Sequence, residues 1–347
     1  MRIIKKILLL ILVLAVAFSG FVGYIVITDY VPEPVEAASI LNDNGIAITG
    51  NTFTVTTFNI GYCGLDKDQD FFLDGGSMSH SSSLEQTEKN LEGVKNYIEI
   101  QNSDFYFLQE VDVKGSRSFN VNQRDFINDY FTDYSSTFSY NFKAKWIPVP
   151  IFNPLGSAYG GLMNLSNFSP LMSTRYGLPG EEPFPRKYFE LDRSIMEDIY
   201  TLENGKKLYM INIHLSAYDK GGTIRAQQVQ FMIDYILDIY NEDENYIIFG
   251  GDWNHLLDNS KFVDNMPEWV ALLPDALFDT GFSLAYDTNV NTVRSDETPY
   301  LKGVTFETVI DGFLVSPNIR VDLVEGGDLG FENSDHNPVT LTFTLID

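Results

Sequence analysis

The chain begins with an apolar block and then changes period several times. Residues Ile7 to Thr28 carry no charge and are dominated by Leu, Ile, Val, Ala and Phe. Roughly 22 helical residues at ~1.5 Å each span about 33 Å, enough to cross a ~30 Å bilayer core. From Thr52 to Ile60 the β-branched and aromatic content reads as a strand. Leu84, Leu91, Val94 and Ile98 then recur among Glu, Lys, Gln and Asn at mostly three- and four-residue intervals, which predicts an amphipathic helix ending near Asn102. Further strands are expected at Asp104–Gln109, Gly161–Leu165, Arg193–Leu202, Lys207–Ile213, Tyr246–Phe249, Thr308–Val315 and Val339–Leu345. Helices are expected at Thr223–Tyr240 and within Phe119–Tyr134. The stretches Asn141–Pro185 and Leu256–Leu301 read as long surface loops.

Charge around the apolar block sets an orientation. Arg2, Lys5 and Lys6 precede it, whereas Asp29, Glu33 and Glu36 follow it. The positive-inside rule keeps residues 1–6 as a cytoplasmic tip and sends the bulk of the chain outside. Residues 7–28 are then a single-pass anchor in the plasma membrane. The alternative is secretion after signal cleavage, with Val35 and Ala37 before a cut at Ala38, although the run is long for a signal peptide. Residues 29–50, with Pro32, Pro34, Gly45 and Gly50, read as a linker. Residues 51–347 read as one domain.

Composition narrows the chemistry. Of 347 residues, 48 are Asp or Glu and 23 are Lys or Arg, a net charge of −25, which disfavours a nucleic-acid-coating protein. The 26 Phe and 19 Tyr supply a large core. A single cysteine, Cys63, and four histidines exclude an intrachain disulfide and a Cys/His zinc cluster, so any metal is held mainly by oxygen.

Several expected strands are bounded by polar residues that strand formation does not need: Asn59, Gln109 and Glu110, His214, and Asp252 and Asn254 after strands, Asp311 beginning another, and Asp335 with His336 before the last. In helix-covered sheets such strand ends open onto one crevice, so residues far apart in sequence converge. His80 and His255 match no such pattern and read as surface residues, and Asp112 reads as a loop carboxylate.

Six segments carry a resemblance: Thr57-Phe58-Asn59-Ile60-Gly61, Leu108-Gln109-Glu110-Val111-Asp112, Asn212-Ile213-His214-Leu215, Gly250-Gly251-Asp252-Trp253-Asn254, Ile310-Asp311-Gly312-Phe313 and Ser334-Asp335-His336-Asn337-Pro338-Val339. In order and spacing this set resembles the endonuclease/exonuclease/phosphatase superfamily, over residues 52 to 345. The resemblance implies an α/β, four-layer, deoxyribonuclease-I-like fold: two mixed β-sheets packed face to face with helices outside. It also implies a divalent-metal-dependent phosphoesterase. Asn59, Glu110 and Asp335 would hold Mg²⁺, with Mn²⁺ as a substitute, because a hard cation prefers oxygen donors. Asp252 would activate water and Asn254 would donate to a phosphate oxygen. His336 would act as base or charged clamp with Asp311 behind it, and His214 would face the phosphate; which imidazole takes a proton stays open. Arg175 would reach the phosphate or form a structural ion pair. Gly61 stands where some relatives place an acidic residue or a second asparagine, so that side-chain contact is absent, which favours one ion over two.

The substrate class stays open among a lipid head group, a cell-wall polymer and nucleic acid. A nuclease would need Lys143, Lys145, Arg175, Arg186 and Lys187 to converge beside the metal. The loop from Trp146 to Phe152 either touches a lipid interface or packs on itself. A non-catalytic binding domain on the same fold is the third reading. No protein partner is expected.

Overall fold

A computed structural model describes residues 2–219, 221–263, 266–267 and 269–346. Residues 264, 265 and 268, inside the loop expected from Leu256 to Leu301, lie outside the described residues, as do residues 1, 220 and 347.

The apolar block forms helix α1 (Arg2–Thr28), exposed along nearly its whole length and long and apolar enough to cross a membrane by length and composition. The remaining chain builds two seven-stranded mixed sheets. The first runs β1 (Val35–Ala37), β7 (Met172–Gly177), β8 (Ser194–Thr201), β9 (Lys207–His214), β10 (Asn245–Asp252), β16 (Asp311–Val315), β13 (Ser283–Ala285). The second runs β17 (Ile319–Gly326), β18 (Val339–Leu345), β3 (Thr52–Asn59), β4 (Phe105–Gly115), β6 (Gly156–Ser166), β5 (Ser135–Ile147), β2 (Ser39–Asn42). Two short ladders lie in the loops: β11 (His255–Leu256) with β12 (Ala271–Leu272), and β14 (Val293–Arg294) with β15 (Glu307–Thr308).

Alternation along the strands assigns the layers. Phe53, Val55, Phe105 and Phe107 from one sheet meet Leu208, Met210, Tyr246, Ile248 and Phe313 from the other, forming the central core. The intervening positions face outward: Ile211, Ile213, Ile247 and Phe249 pack under α4 (Thr223–Ile239), and Tyr106 and Leu108 pack under α2 (Leu84–Gln101) and α3 (Gln123–Tyr130). Four layers result, as the resemblance implied. Helix α2 starts where the Ser83 hydroxyl accepts from the Gln86 amide and stops at Asn102 in the left-handed region, φ 49°. Leu91, Val94 and Ile98 are buried as expected, whereas Leu84 is exposed.

Three expectations change, one being that the stretch Leu256–Leu301, read as a loop, holds β12, β13 and β14 and joins the first sheet through β13. The segment read as a linker contributes an edge strand to each sheet, with Glu36 opposite Arg175 and Ser39 opposite Phe138. The stretch from Asn141 to Pro185 contains most of β5, all of β6 and β7, and a hairpin tip between Ile147 and Gly156.

Candidate active site

Register brings the polar strand ends together. β10 lies between β9 and β16, and Asp252 is paired with His214 on one side and Asp311 on the other. Three chemistry-bearing residues thus form one row across three adjacent strands. The facing sheet adds Asn59 at the end of β3, opposite Gln109. The segment before β18 closes the ring: Ser334 Oγ donates to the Asn59 carbonyl at 2.8 Å, and His336 bridges to Val293.

Glu110 reaches this ring through irregular backbone. Its φ is +56°, at a bulge between Leu108 and Val111 in the β4–β6 ladder. A bulge re-aims a side chain that strict alternation would send elsewhere, and left-handed backbone on a non-glycine residue is strained. Asn254, φ +48°, is the second such residue at the site. Gln109, by contrast, serves the inter-sheet core, where its Nε2 donates to Asn212 Oδ1 at 2.8 Å.

The contacts centre on Asp252. Its Oδ2 accepts from Asn59 Nδ2 at 3.0 Å and lies 3.4 Å from His214 Nε2 and 3.7 Å from His336 Nε2. Its Oδ1 accepts from the Asn254 backbone amide at 2.9 Å. His336 Nδ1 is 2.9 Å from Asp311 Oδ2, and Asp335 Oδ2 is 3.9 Å from His336 Nε2. Asn254 Nδ2 donates to the Leu215 carbonyl at 2.8 Å, which leaves its second amide hydrogen for another acceptor.

Burial and charge set the protonation states. Burial and the Asp311 carboxylate push Asp252 up to about 7, against the opposing pull of His336. Burial alone would depress His336, but Asp311, Asp335 and Asp252 outweigh it and hold the imidazole well above its ordinary value. His214 is held well below, by burial and then by the Arg193 charge, and its buried Nδ1 has no hydrogen-bond partner among the described residues. Burial also raises Glu110, with Arg117 opposing and Asp335 adding to the rise.

These groups form the floor of a cavity of about 500 Å³. Glu110, His214, Asp252, Asn254, Asp335 and His336 all line it. Arg175 does not. It is 1% exposed and its donors go to the carbonyls of Tyr140, Glu33 and Asp192, so it ties the segment after α1 to the domain rather than reaching a phosphate. Asp112 is no loop carboxylate: it is fully buried and binds Arg117 through both oxygens, at 3.2 and 2.9 Å. His255 is buried too, its Nδ1 against the Trp253 carbonyl, and burial pushes it down to about 4. The guanidiniums that do line the cavity include Arg117 and Arg193, which no strand-end pattern marks. Arg193 lies one residue before β8 and donates to the His214 carbonyl at 3.4 Å.

The donor chemistry suits a cation. Glu110 and Asp335 are two carboxylates on one floor, and the charge of one raises the proton affinity of the other. Gly61, φ +48°, keeps Asp335 open, since a Cβ there would lie 2.6 Å from Asp335 Oδ1. Asn59 offers its oxygen elsewhere: Oδ1 accepts from the Gly61 amide at 3.0 Å, and Nδ2 faces Asp252 and Glu110. Asp252, Asp311 and His336 also bring ligand atoms within 4.8 Å of one another, and this buried group could hold a metal.

Comparison with known proteins bears on the fold. An endonuclease/exonuclease/phosphatase from Beutenbergia cavernae DSM 12333 superposes with a TM-score of 0.57 at 15% identity, over 86% of this chain and 72% of that one. D. rerio TDP2, complexed with a single-strand DNA product, gives 0.53 at 16% identity, over 85% of this chain and all of that one. ANGEL2, a 2′,3′-cyclic phosphatase complexed with adenosine-2′,3′-vanadate, gives 0.54 at 14% identity, over 91% and 99%. The fold is that of the endonuclease/exonuclease/phosphatase proteins. No family model matches the chain. The UPF0294 protein of Vibrio campbellii (strain ATCC BAA-1116) is 23% identical over 199 residues, and this chain spans 59% of its length. Within the endonuclease/exonuclease/phosphatase fold, the polar ring occupies the crevice where strand ends of both sheets meet.

Proposed function

We propose that this chain is a divalent-metal-dependent phosphoesterase that hydrolyses a phosphodiester, held at the plasma membrane by α1 with its domain on the extracytoplasmic side. The observation that carries this reading is the row His214–Asp252–Asp311 with His336 clamped between carboxylates, in one cavity with Glu110 and Asp335. Such a row supports hydrolysis because strand formation does not itself require these ionisable groups.

Glu110 and Asp335 would hold Mg²⁺ or Mn²⁺, with Asn59 turning its amide oxygen inward to join them. The group Asp252–Asp311–His336 is the poorer holder, because His336 would have to lose its proton and its bond to Asp311. When bound, the cation supplies positive charge against the phosphoryl oxygens. The Asp252 carboxylate takes a proton from the attacking water, held in position by Asn59 Nδ2. His336, charged and fixed by Asp311, donates Nε2–H to a phosphoryl oxygen, and neutral His214 flanks the same Asp252 oxygen. The free amide hydrogen of Asn254 points the same chemistry at the substrate. Water oxygen bonds to phosphorus as the ester P–O bond breaks, and the released alkoxide takes up the proton.

The nuclease reading loses its main support. Arg186 pairs with Glu190 at 2.7 Å, Lys187 with Glu181 at 3.0 Å, Lys143 lies over the rings of Tyr30 and Tyr140, and Arg175 is buried. Only Arg186 of the five expected basic residues lines the cavity. Calorimetric titration with Mn²⁺ tests the metal assignment: Glu110→Gln should weaken binding at least ~10-fold, since one ligand oxygen loses its charge. Unchanged affinity would remove Glu110 from the site.

A further inference from the structure

Above its polar floor the cavity is apolar. Its walls include Phe71, Phe142, Ile147, Val149, Leu155 and Phe189. A charged phosphoester gains nothing from such walls by itself, so they fit a substrate whose phosphate carries a sizeable apolar arm. Three of the cavity's four guanidiniums are already committed, Arg117 to Asp112 and Glu110, Arg186 to Glu190, and Arg294 to Asp296, which leaves Arg193, with one 3.4 Å bond to the His214 carbonyl, to face a single phosphate. An extended polyanion needs unspent positive charge along its backbone, with aromatic stacking as a supplement.

The same wall continues to the outside. Ile147, Val149 and Leu155 belong to the tip of the β5–β6 hairpin, and the tip's other face presents Ile151, 80% exposed, and Phe152, wholly exposed. Single exposed apolar residues are ordinary, but these two lie between the cavity-wall residues Val149 and Leu155 on one hairpin tip. The Trp146 ring meets Phe21 of α1 edge-on, with centroids 5.6 Å apart. Phe21 lies 28 − 21 = 7 residues before the end of α1, which is about 10 Å back along the helix. A helix that crosses a bilayer therefore carries the root of this hairpin to the depth of its own last two turns. Lys143, on the strand leading to the tip, lies over the ring of Tyr30, two residues beyond the end of α1.

Building on the phosphoesterase reading, we infer that the substrate is a phosphodiester lipid of the bilayer that holds α1, with the β5–β6 tip seated in that bilayer and the apolar cavity receiving the lipid's hydrocarbon-bearing arm. The net reaction adds one water: a P–O bond to water oxygen forms, one ester P–O bond breaks, and the products are a phosphomonoester and an alcohol. No further reactant is required.

The test uses the full chain reconstituted in vesicles of phosphatidylcholine, phosphatidylethanolamine and phosphatidylglycerol in equal parts. Conversion of diester to monoester is followed by phosphorus NMR, alongside hydrolysis of soluble bis(p-nitrophenyl) phosphate. The expected result is monoester formation from vesicle lipid. The double variant Ile151→Asp/Phe152→Asp, whose positions lie outside the cavity wall, should lower lipid turnover at least ~10-fold and leave soluble-diester turnover within about twofold, because charge is excluded from the apolar interface. Soluble-diester hydrolysis without lipid hydrolysis, lipid hydrolysis indifferent to the double variant, or faster cleavage of a single-stranded oligonucleotide than of any lipid would each overturn the inference. Failure on the soluble diester as well would instead strike the phosphoesterase reading beneath it. A second readout tests the seating without turnover: fluorescence quenching by brominated phosphatidylcholine should contain a component that Trp146→Phe removes, and its absence would refute the seated hairpin.

Discussion

His336 and His214 face the same oxygen of Asp252, yet their surroundings give them opposite charge. His336 sits among Asp311, Asp335 and Asp252, which overcome its burial, whereas His214 is desolvated and faces Arg193. On the proposed reading the imidazolium would clamp the phosphate and Asp252, which burial brings up to about 7, would accept the proton. Replacing His336 by Ala should lower turnover by ~10² or more without unfolding the domain; near-normal turnover with an unchanged melting curve would contradict that role. The candidate members of this ring could be picked out because they sit at or beside strands of recognisable pattern, Asp311 opening β16 and Asp335 and His336 preceding β18, and register then does the rest. What could not be read was the destination of each guanidinium. Arg175 and Arg193 look alike in sequence, but Arg175 is spent on the carbonyl of Glu33, 142 residues away, while Arg193 faces the site. The fates of Asp112 and His255 likewise depended on buried partners that no spacing announces.

Among the elements, the strands with strong alternation or continuous apolar runs were foreseen to within a few residues: β3, β9, β10 and β18 are examples. β17 was not, because it is the outermost strand of its sheet and most of its side chains are exposed, so no hydrophobic period marks it. β5 begins with Ser135, Ser136 and Thr137 and carries Lys143 and Lys145, a polar content that reads as loop although the backbone pairs on both sides. The edge strands β1 and β2 are too short to carry a pattern. β8 adds a stability consequence. Glu197, 2% exposed, is pushed from 4.5 up to about 7 by burial, while its oxygens accept from Tyr176 and Tyr235. The folded chain thus retains this proton between about pH 4.5 and 7, where the unfolded chain has released it. The stabilisation is fully present below that window and is lost as pH rises through it, an effect of roughly 2–4 kcal/mol. Glu197→Gln should therefore melt progressively higher relative to the parent as pH goes from 5 to 8. A constant difference across that range would show that Glu197 titrates normally.

Across the protein, the acidic balance, the apolar helix and the two-sheet core act in separate places. The core is complete without α1: of α1's residues only Ile25 is buried, and the inter-sheet cluster draws nothing from it. A chain lacking residues 2–28 should consequently stay soluble, aided by its net negative charge, and hydrolyse soluble diesters at a rate close to that of the full chain. Aggregation, or loss of that activity with an intact fold, would show that α1 supports the site itself. The fold-level expectation, which the motif resemblance implied and the strand count fitted, was met, whereas the docking of residues 35–42 onto both sheet edges did not follow from a stretch rich in Pro and Gly. The decisive experiment is hydrolysis of bis(p-nitrophenyl) phosphate by the full chain in Mg²⁺ or Mn²⁺, with EDTA and the Glu110→Gln variant beside it. Turnover that EDTA abolishes, added metal restores and Glu110→Gln removes is the expected result. No turnover at any divalent-ion concentration, or turnover indifferent to EDTA and to the variant, would contradict the assignment of this ring as a metal-dependent phosphoesterase site.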